Sequence, residues 1–269
     1  MVVLGADGAG KGTLLRQAEL LDSPLDDEQR AVWTEEIRQY VARLRAESAG
    51  SGPGHPADYF LREDTVSRIA AVDYLPTAAD IVRLPPATAH PPVQTYVSAL
   101  MRDARLTVLR ARAGQPRKWR MQLEECHAIL WVVDLMSYCR TVRDADTGES
   151  VNALVHDMRQ LQDLLLDNHL RHVPIIVMLN KSDLFTSLPP ASFAFRAHFP
   201  DHDGPDTPAG ALRHLAQRYR AVCAVARRTR AADEYLHVCS AVDGDAMRLV
   251  FDAVRDSLVR SRLYAPVCF

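Results

Sequence analysis

The chain has 269 residues, 48% of them hydrophobic and 25% charged, with a formal net charge of -2. That length suffices for a full core, and the charge balance excludes any general electrostatic drive toward nucleic acid or an acidic membrane surface. Five cysteines (Cys126, Cys139, Cys223, Cys239 and Cys268) form no C-x-x-C pair and no zinc spacing, which argues against a disulfide framework or a zinc module and for a reducing, cytoplasmic setting.

Taken in chain order, "VVLG" is a β-branched run ending at a glycine, and "GTLLRQAELL" after it has helical apolar spacing. "DDEQRAVWTEEIRQYVARLRAE" reads as a long amphipathic helix with an acidic start, and "SAGSGPGHPAD" as a linker. "DYFLREDTVSRIAAV" reads as one short helix. The five prolines of "DYLPTAADIVRLPPATAHPPV" predict an extended, stiff connection. Strands are expected at "RLTVLRA", "CHAILWVVDL", "VPIIVMLN" and "YLHVC", and helices at "VNALVHDMRQLQDLLLDNH", "PAGALRHLAQRYRAVCAVA" and "DAMRLVFDAVRDSLVRSRL". Continuous apolar strands alternating with helices predict an α/β fold with a mainly parallel sheet covered on both faces. No strand signal falls between about residues 22 and 75, so that stretch reads as a helical insertion. The apolar runs are too short to cross a bilayer, and no transmembrane segment is expected.

Two motifs carry chemistry. Gly5 to Lys11, "GADGAGK", fits G-x-x-x-x-G-K, in which backbone N–H groups and a helix N-terminus surround phosphates while the lysine neutralises their charge. Gly5, Ala6, Asp7, Gly8, Ala9, Gly10, Lys11, Gly12 and Thr13 are the expected phosphate-binding residues. The plain alternative, a glycine-rich turn that only caps a helix, is disfavoured by the strand and helix on either side. The second motif, "LNKSDL" after the strand "VPIIVM", places N-K-x-D at a strand end. A carboxylate there accepts from both N–H donors on the guanine edge, and adenine has no such pair. Asn180, Lys181 and Asp183 are therefore expected to read a guanine base.

With these residues in hand, the chain resembles the α subunit of heterotrimeric G proteins over nearly its whole length. "DYFLREDTVSRIAAVDYLPTAADIVR" looks like the end of that family's helical domain and its entry to switch I, and "GQPRKW" resembles switch II. "VCSA" is similar to its base-contacting T-C-A-T loop, and "LVFDAVRDSLVRSRL" to the final, receptor-engaging helix. The resemblance implies a Ras-like P-loop nucleotide-binding domain with a shortened all-helical insertion. Residues 1–21 and 77–269 would form the Ras-like domain, and residues 22–76 the truncated helical one. It further implies GTP/GDP as ligand, Mg²⁺ with Thr88 as its ligand, and Arg83 and Gly114 near the nucleotide. Gln115 would orient the attacking water, and Ser240 or Ala241 would give a backbone N–H to the base. The implied partners are a G-protein βγ dimer and a G-protein-coupled receptor met by the final helix, with location at the inner face of the plasma membrane through them. The sequence as written begins at the phosphate-loop strand, so the family's N-terminal helix for βγ is not part of it, and a weaker hold on βγ is expected.

Departures from the family pattern fall on the catalytic parts. Gly12 stands where a Mg²⁺-binding Ser follows the P-loop Lys, Pro85 where the arginine finger belongs, and Ala111 where the switch II Asp belongs. In GTPases of this kind a cis arginine is worth ~10³ to 10⁵ in turnover. The expectation is a GTPase that binds guanine nucleotide and hydrolyses GTP slowly over a weakened Mg²⁺ site, with faster nucleotide exchange under the reduced lid. The alternative is a non-catalytic scaffold that keeps the fold for partner docking. A nucleoside monophosphate kinase, suggested by "GKGT" alone, leaves "NKSD" unexplained.

Overall fold

The computed structural model describes residues 1–46, 57–85, 93–98, 104–109, 123, 126–144, 147–170, 173–189, 193–227 and 234–263. A six-stranded sheet runs in the order β2-β3-β1-β4-β7-β8. Its strands are β1 (Val2–Leu4), β2 (Val93–Ser98), β3 (Ala104–Leu109), β4 (Ile129–Asp134), β7 (Ile175–Asn180) and β8 (Glu234–Val238). β2 pairs antiparallel to β3, and the other pairings are parallel. A separate antiparallel hairpin joins β5 (Thr141–Arg143) to β6 (Ser150–Asn152).

Strand periodicity sorts the core. Side chains alternate between faces of a strand, so Leu4, Ile129, Trp131, Val133, Val177 and Leu179 pack on one side. There they meet helix α6 (Ala153–Leu166) through Leu154, Met158 and Leu161, the short α8 (Phe195–His198) through Phe195, and helix α9 (Pro208–Arg227) through Leu215 and Tyr219. Val3, Leu130, Val132, Ile176 and Met178 face the other way. They cover α1 (Lys11–Asp22) through Leu14, Leu15 and Ala18, and α10 (Gly244–Leu263) through Met247, Phe251 and Val254. Each large side chain so buried contributes roughly 1.5–3 kcal/mol. The mainly parallel sheet with helices on both faces is the one expected.

A third cluster lies among helices alone. α2 (Asp27–Ala46) gives Ile37, Val41 and Leu44; α3 (Ala57–Phe60) gives Phe60; α4 (Glu63–Ala70) gives Ile69; and α5 (Ala78–Arg83) gives Ile81, joined by Leu84 just past its end. Arg16 of α1 connects this layer to the sheet. Its Nη1 donates to the carbonyls of Ile81 at 2.9 Å and Leu84 at 2.6 Å, while its guanidinium lies over the Trp33 ring.

Four local expectations are corrected. The stretch expected to be one helix over "DYFLREDTVSRIAAV" is two, α3 and α4, because Arg62 takes an extended ψ of 138° between them. α5 occupies part of the stretch expected to be extended. Thr77 makes a capping box, its Oγ1 accepting from the Asp80 N–H at 3.2 Å while its own N–H donates to Asp80 Oδ2 at 2.8 Å. That start signal lets a short helix form between Pro76 and Pro85. β2 lies where no strand was expected, at the edge of the sheet. The helix expected from Val151 starts at Ala153, because Val151 and Asn152 belong to β6 and Asn152 Oδ1 caps the helix by accepting from Leu154 and Val155.

Candidate nucleotide site

Loops after β1, β4, β7 and β8 meet at the carboxyl edge of the sheet, where ligands of open α/β sheets bind. The first is the glycine loop. Gly5 has φ +137°, and a Cβ on it would lie 2.1 Å from the Val132 carbonyl oxygen; Gly10 has φ +99°, and its Cβ would lie 2.3 Å from Asn180 Nδ2. Both positions therefore require glycine. Gly10 caps α1 without a side-chain hydrogen bond, and the first turn carries no acidic residue. The helix thus presents first-turn amides and the positive end of its dipole to the loop, the arrangement that binds anions. Lys11 is 5% exposed. Its Nζ donates to the carbonyls of Gly5 at 2.6 Å and Ala6 at 2.7 Å, which holds the ammonium inside the loop. Asp7 is exposed at the loop's tip, and Gly12 and Thr13 lie in the first turn of α1.

The second loop follows β7. Asn180, 2% exposed, spans two neighbours: Nδ2 donates to the Ala9 carbonyl at 2.7 Å, and Oδ1 accepts from the Ala241 N–H at 2.8 Å. Both ends of its amide are occupied, so Asn180 ties the glycine loop to the β8 loop. Lys181 takes a left-handed φ of 65°, and its Nζ donates to Asp134 Oδ2 at 2.9 Å. That turn starts the short helix α7 (Ser182–Thr186), which carries Asp183. Asp183 Oδ1 is buried and has no hydrogen-bond partner among the described residues. A buried carboxylate oxygen without a donor costs free energy that a ligand N–H would recover.

Ser240 and Ala241 are buried in the loop after β8. Next to them Cys239 is a packed thiol, which burial pushes up to about 12. Arg83 stacks over the Tyr59 ring at 4.5 Å and donates to the Ala79 carbonyl of its own helix, so its guanidinium is engaged within the helical layer. Pro85, two residues further on, is half-buried. Thr88, Ala111, Gly114 and Gln115 lie outside the described residues. Among the described residues no three His, Cys, Asp or Glu side chains come together as a metal centre, and no helix is long and apolar enough to cross a membrane.

The sequence profile described as G-protein alpha subunit matches residues 53–258. The chain belongs to that family. It is 23% identical over 250 residues to the guanine nucleotide-binding protein alpha-3 subunit of Caenorhabditis elegans, covering 93% of this chain and 67% of that protein. It is 26% identical over 211 residues to the guanine nucleotide-binding protein subunit alpha-12 of Rattus norvegicus, covering 78% and 53%. The G(o) subunit alpha of Lymnaea stagnalis is 26% identical over 207 residues, covering 77% and 55%. The chain thus spans about half to two thirds of the length of these relatives.

In this G-protein α chain the P-loop, N-K-x-D and V-C-S-A residues do converge on one edge of the sheet. Sequence reasoning missed two carboxylates beside them. Asp134, at the end of β4, accepts from Lys181 and is ion-paired with Arg140. Asp157 on α6 is 3% exposed; its Oδ2 accepts from Trp131 Nε1 at 3.0 Å and the Tyr219 hydroxyl at 2.7 Å. The signal was available: Asp157 interrupts the apolar stripe Leu154, Met158, Leu161 and Leu165.

Proposed function

We propose that the chain binds GTP and GDP as a G-protein α-type switch and hydrolyses GTP slowly. The observation that carries the reading is the single-edge arrangement of a glycine loop around Lys11 and the half-buried Asp183 carboxylate, whose buried Oδ1 has no donor among the described residues. In this reading the amides of Gly8 to Thr13 and the Lys11 ammonium hold the phosphates, and Asp183 takes the two guanine N–H groups. Of the two candidates in the β8 loop, Ser240 is the one we assign to the guanine carbonyl, because the Ala241 N–H is already donated to Asn180. Asn180 acts as a brace, and Lys181 packs its stem along the pocket while its ammonium answers Asp134. Residues 22–76 form the reduced lid, which α1 meets through the Arg16 guanidinium over the Trp33 ring.

The donor chemistry at the start of α1 fits a resident Mg²⁺ poorly. Gly12 offers no hydroxyl, and Asp134 is held by Lys181 and Arg140. Mg²⁺ needs several hard oxygen ligands in near-octahedral order, which these two positions do not supply. Hydrolysis then rests on Gln115 orienting water, without an arginine at position 85. GTP binding would bias the switch segments and the receptor-type helix α10 toward one partner surface. Receptor, βγ and inner-membrane location follow from the family alone.

A scaffold without a nucleotide switch is the second reading, favoured by Gly12 and by a Lys11 ammonium already bonded to its own loop. Acid extraction of freshly purified protein followed by chromatography separates the two. Guanine nucleotide near one per chain is expected; a nucleotide-free protein that stays folded would favour the scaffold. Single-turnover hydrolysis of radiolabelled GTP then tests the chemistry, and a rate like that of ordinary α subunits would contradict slow turnover.

A further inference from the structure

A cavity of about 350 Å³ opens beside the phosphate loop, between its first residues, the end of β4, the β5–β6 hairpin and α6. That volume is in the range of small-molecule sites. Its apolar wall is Trp131, Val142 and Ala153, and its floor includes Asp157. One oxygen of that carboxylate is satisfied by Trp131 and Tyr219, but Oδ1 is buried and has no partner among the described residues. Native proteins rarely leave such an atom unpaired, and a buried carboxylate is the most costly kind to leave so.

The other ionisable groups around the cavity already have neighbours, although His156 Nδ1 makes no hydrogen bond among the described residues. Arg140 pairs with Asp134, Arg143 donates to the Gly148 carbonyl at 3.1 Å, and His156 faces Asp144 at 3.6 Å and Gln160 at 3.0 Å. Asp7, which also lines the cavity, adds an exposed carboxylate to the buried one. We infer that this cavity is a ligand site for a small organic cation, an amidinium or guanidinium on a flat apolar body, whose N–H groups donate to Asp157 Oδ1 while the body packs on Trp131. Planar cations suit it better than a metal ion, because they satisfy the carboxylate by directional hydrogen bonds and fill the apolar wall as well. The site adjoins the phosphate loop through Gly5, Ala6 and Asp7, but the groups that would hold the cation, Asp157 and Trp131, take no part in base or phosphate binding as proposed above.

Benzamidinium is the probe. The chain has three tryptophans, so 5-fluorotryptophan labelling gives a small set of ¹⁹F resonances, and Trp131→Phe assigns the one from the cavity wall. Titration of benzamidinium into the full chain is expected to shift the Trp131 resonance saturably, with neutral benzamide binding at least about tenfold more weakly. Asp157→Asn keeps the shape and removes the charge. Ala153→Leu fills the cavity from its wall and leaves the carboxylate intact, so it serves if the first variant folds poorly. Each is expected to weaken binding at least about tenfold. A Trp131 resonance unmoved by benzamidinium, or equal affinity in the wild type and the folded variants, would overturn the assignment.

Discussion

Asn180 donates through Nδ2 to the carbonyl oxygen of Ala9 at 2.7 Å, so the end of β7 is fastened to the phosphate loop some 171 positions earlier in the chain. With its other end on Ala241, the same amide fixes three loops at one distance from each other. That relationship turns two separate motifs into one pocket. Replacing Asn180 with Ala strands a buried carbonyl and a buried amide, each costing about 1–3 kcal/mol. Chemical denaturation should show a loss of about 2 kcal/mol or more, and GDP affinity should fall at least about tenfold. An unchanged melting curve would show that the brace is dispensable.

The glycines of the loop are predicted to differ from one another. A Cβ at Gly10 meets Asn180 Nδ2 at 2.3 Å at φ +99°, whereas one at Gly8, φ +78°, meets nothing within 4 Å. Gly8→Ala should therefore cost only the backbone term, about 1–2 kcal/mol. Gly10→Ala should cost more and should also lower GDP affinity, because it displaces the brace. Equal effects in paired denaturation and binding measurements would count against the steric account.

Gly12→Ser places a hydroxyl directly after Lys11, beside the one Thr13 already carries. If the absence of a hydroxyl at position 12 weakens the metal site, the variant's GTP affinity should depend on Mg²⁺ about tenfold more strongly than that of the natural chain, or about 1.4 kcal/mol. Fluorescent GTP-analogue titrations in EDTA and in millimolar Mg²⁺ measure this. A natural chain already dependent on Mg²⁺ to the same degree would refute the weakened site.

Two buried carboxylates shape stability against pH in opposite directions. Burial pushes Asp157 up to about 6, with Trp131, Tyr219 and nearby Lys11 and His156 pulling the other way. The folded state then binds more protons than the unfolded one between about pH 4 and 6, so this group's contribution is present below about 4 and is lost as pH rises through 6. For Asp80, burial also raises, but hydrogen bonds from Arg68, Thr77 and Tyr59 outweigh it and hold the carboxyl well below the usual range. Its contribution is present above about pH 4 and is lost in stronger acid. Unfolding free energies measured from pH 7 to 4 should show a slope that Asp157→Asn flattens, by an amount of about 2 kcal/mol. A slope unaltered in that variant would place the titration elsewhere.

Much of the fold could be read in the sequence, because parallel strands buried on both faces leave continuous apolar runs such as "VPIIVML". The glycine loop and N-K-x-D were equally legible, since each motif is local. Four things were not. α5 was hidden by the surrounding prolines, although Thr77 and Asp80 carried its capping signal, and β2 by its place at a sheet edge. The division of labour within "NKSD" depends on which polar atoms tertiary neighbours already occupy, and no spacing discloses that Asn180 is consumed by Ala9 and Ala241 while Asp183 Oδ1 is not. Asp157 was passed over because its stripe reads as core, and only its partners Trp131 and Tyr219 show why a carboxylate lies there.

The central claim is that Asp183 selects guanine in a pocket whose phosphates rest on Lys11. Calorimetric titration of GDP and ADP into the natural chain and into Asp183→Ala tests it most directly. The account predicts GDP binding preferred over ADP by at least ~10²-fold, and that preference lost in the variant, because unmade hydrogen bonds at a base-reading site carry penalties of this size. Equal heats for GDP and ADP, no binding of either by folded protein, or a preference for GDP that survives in Asp183→Ala would contradict it.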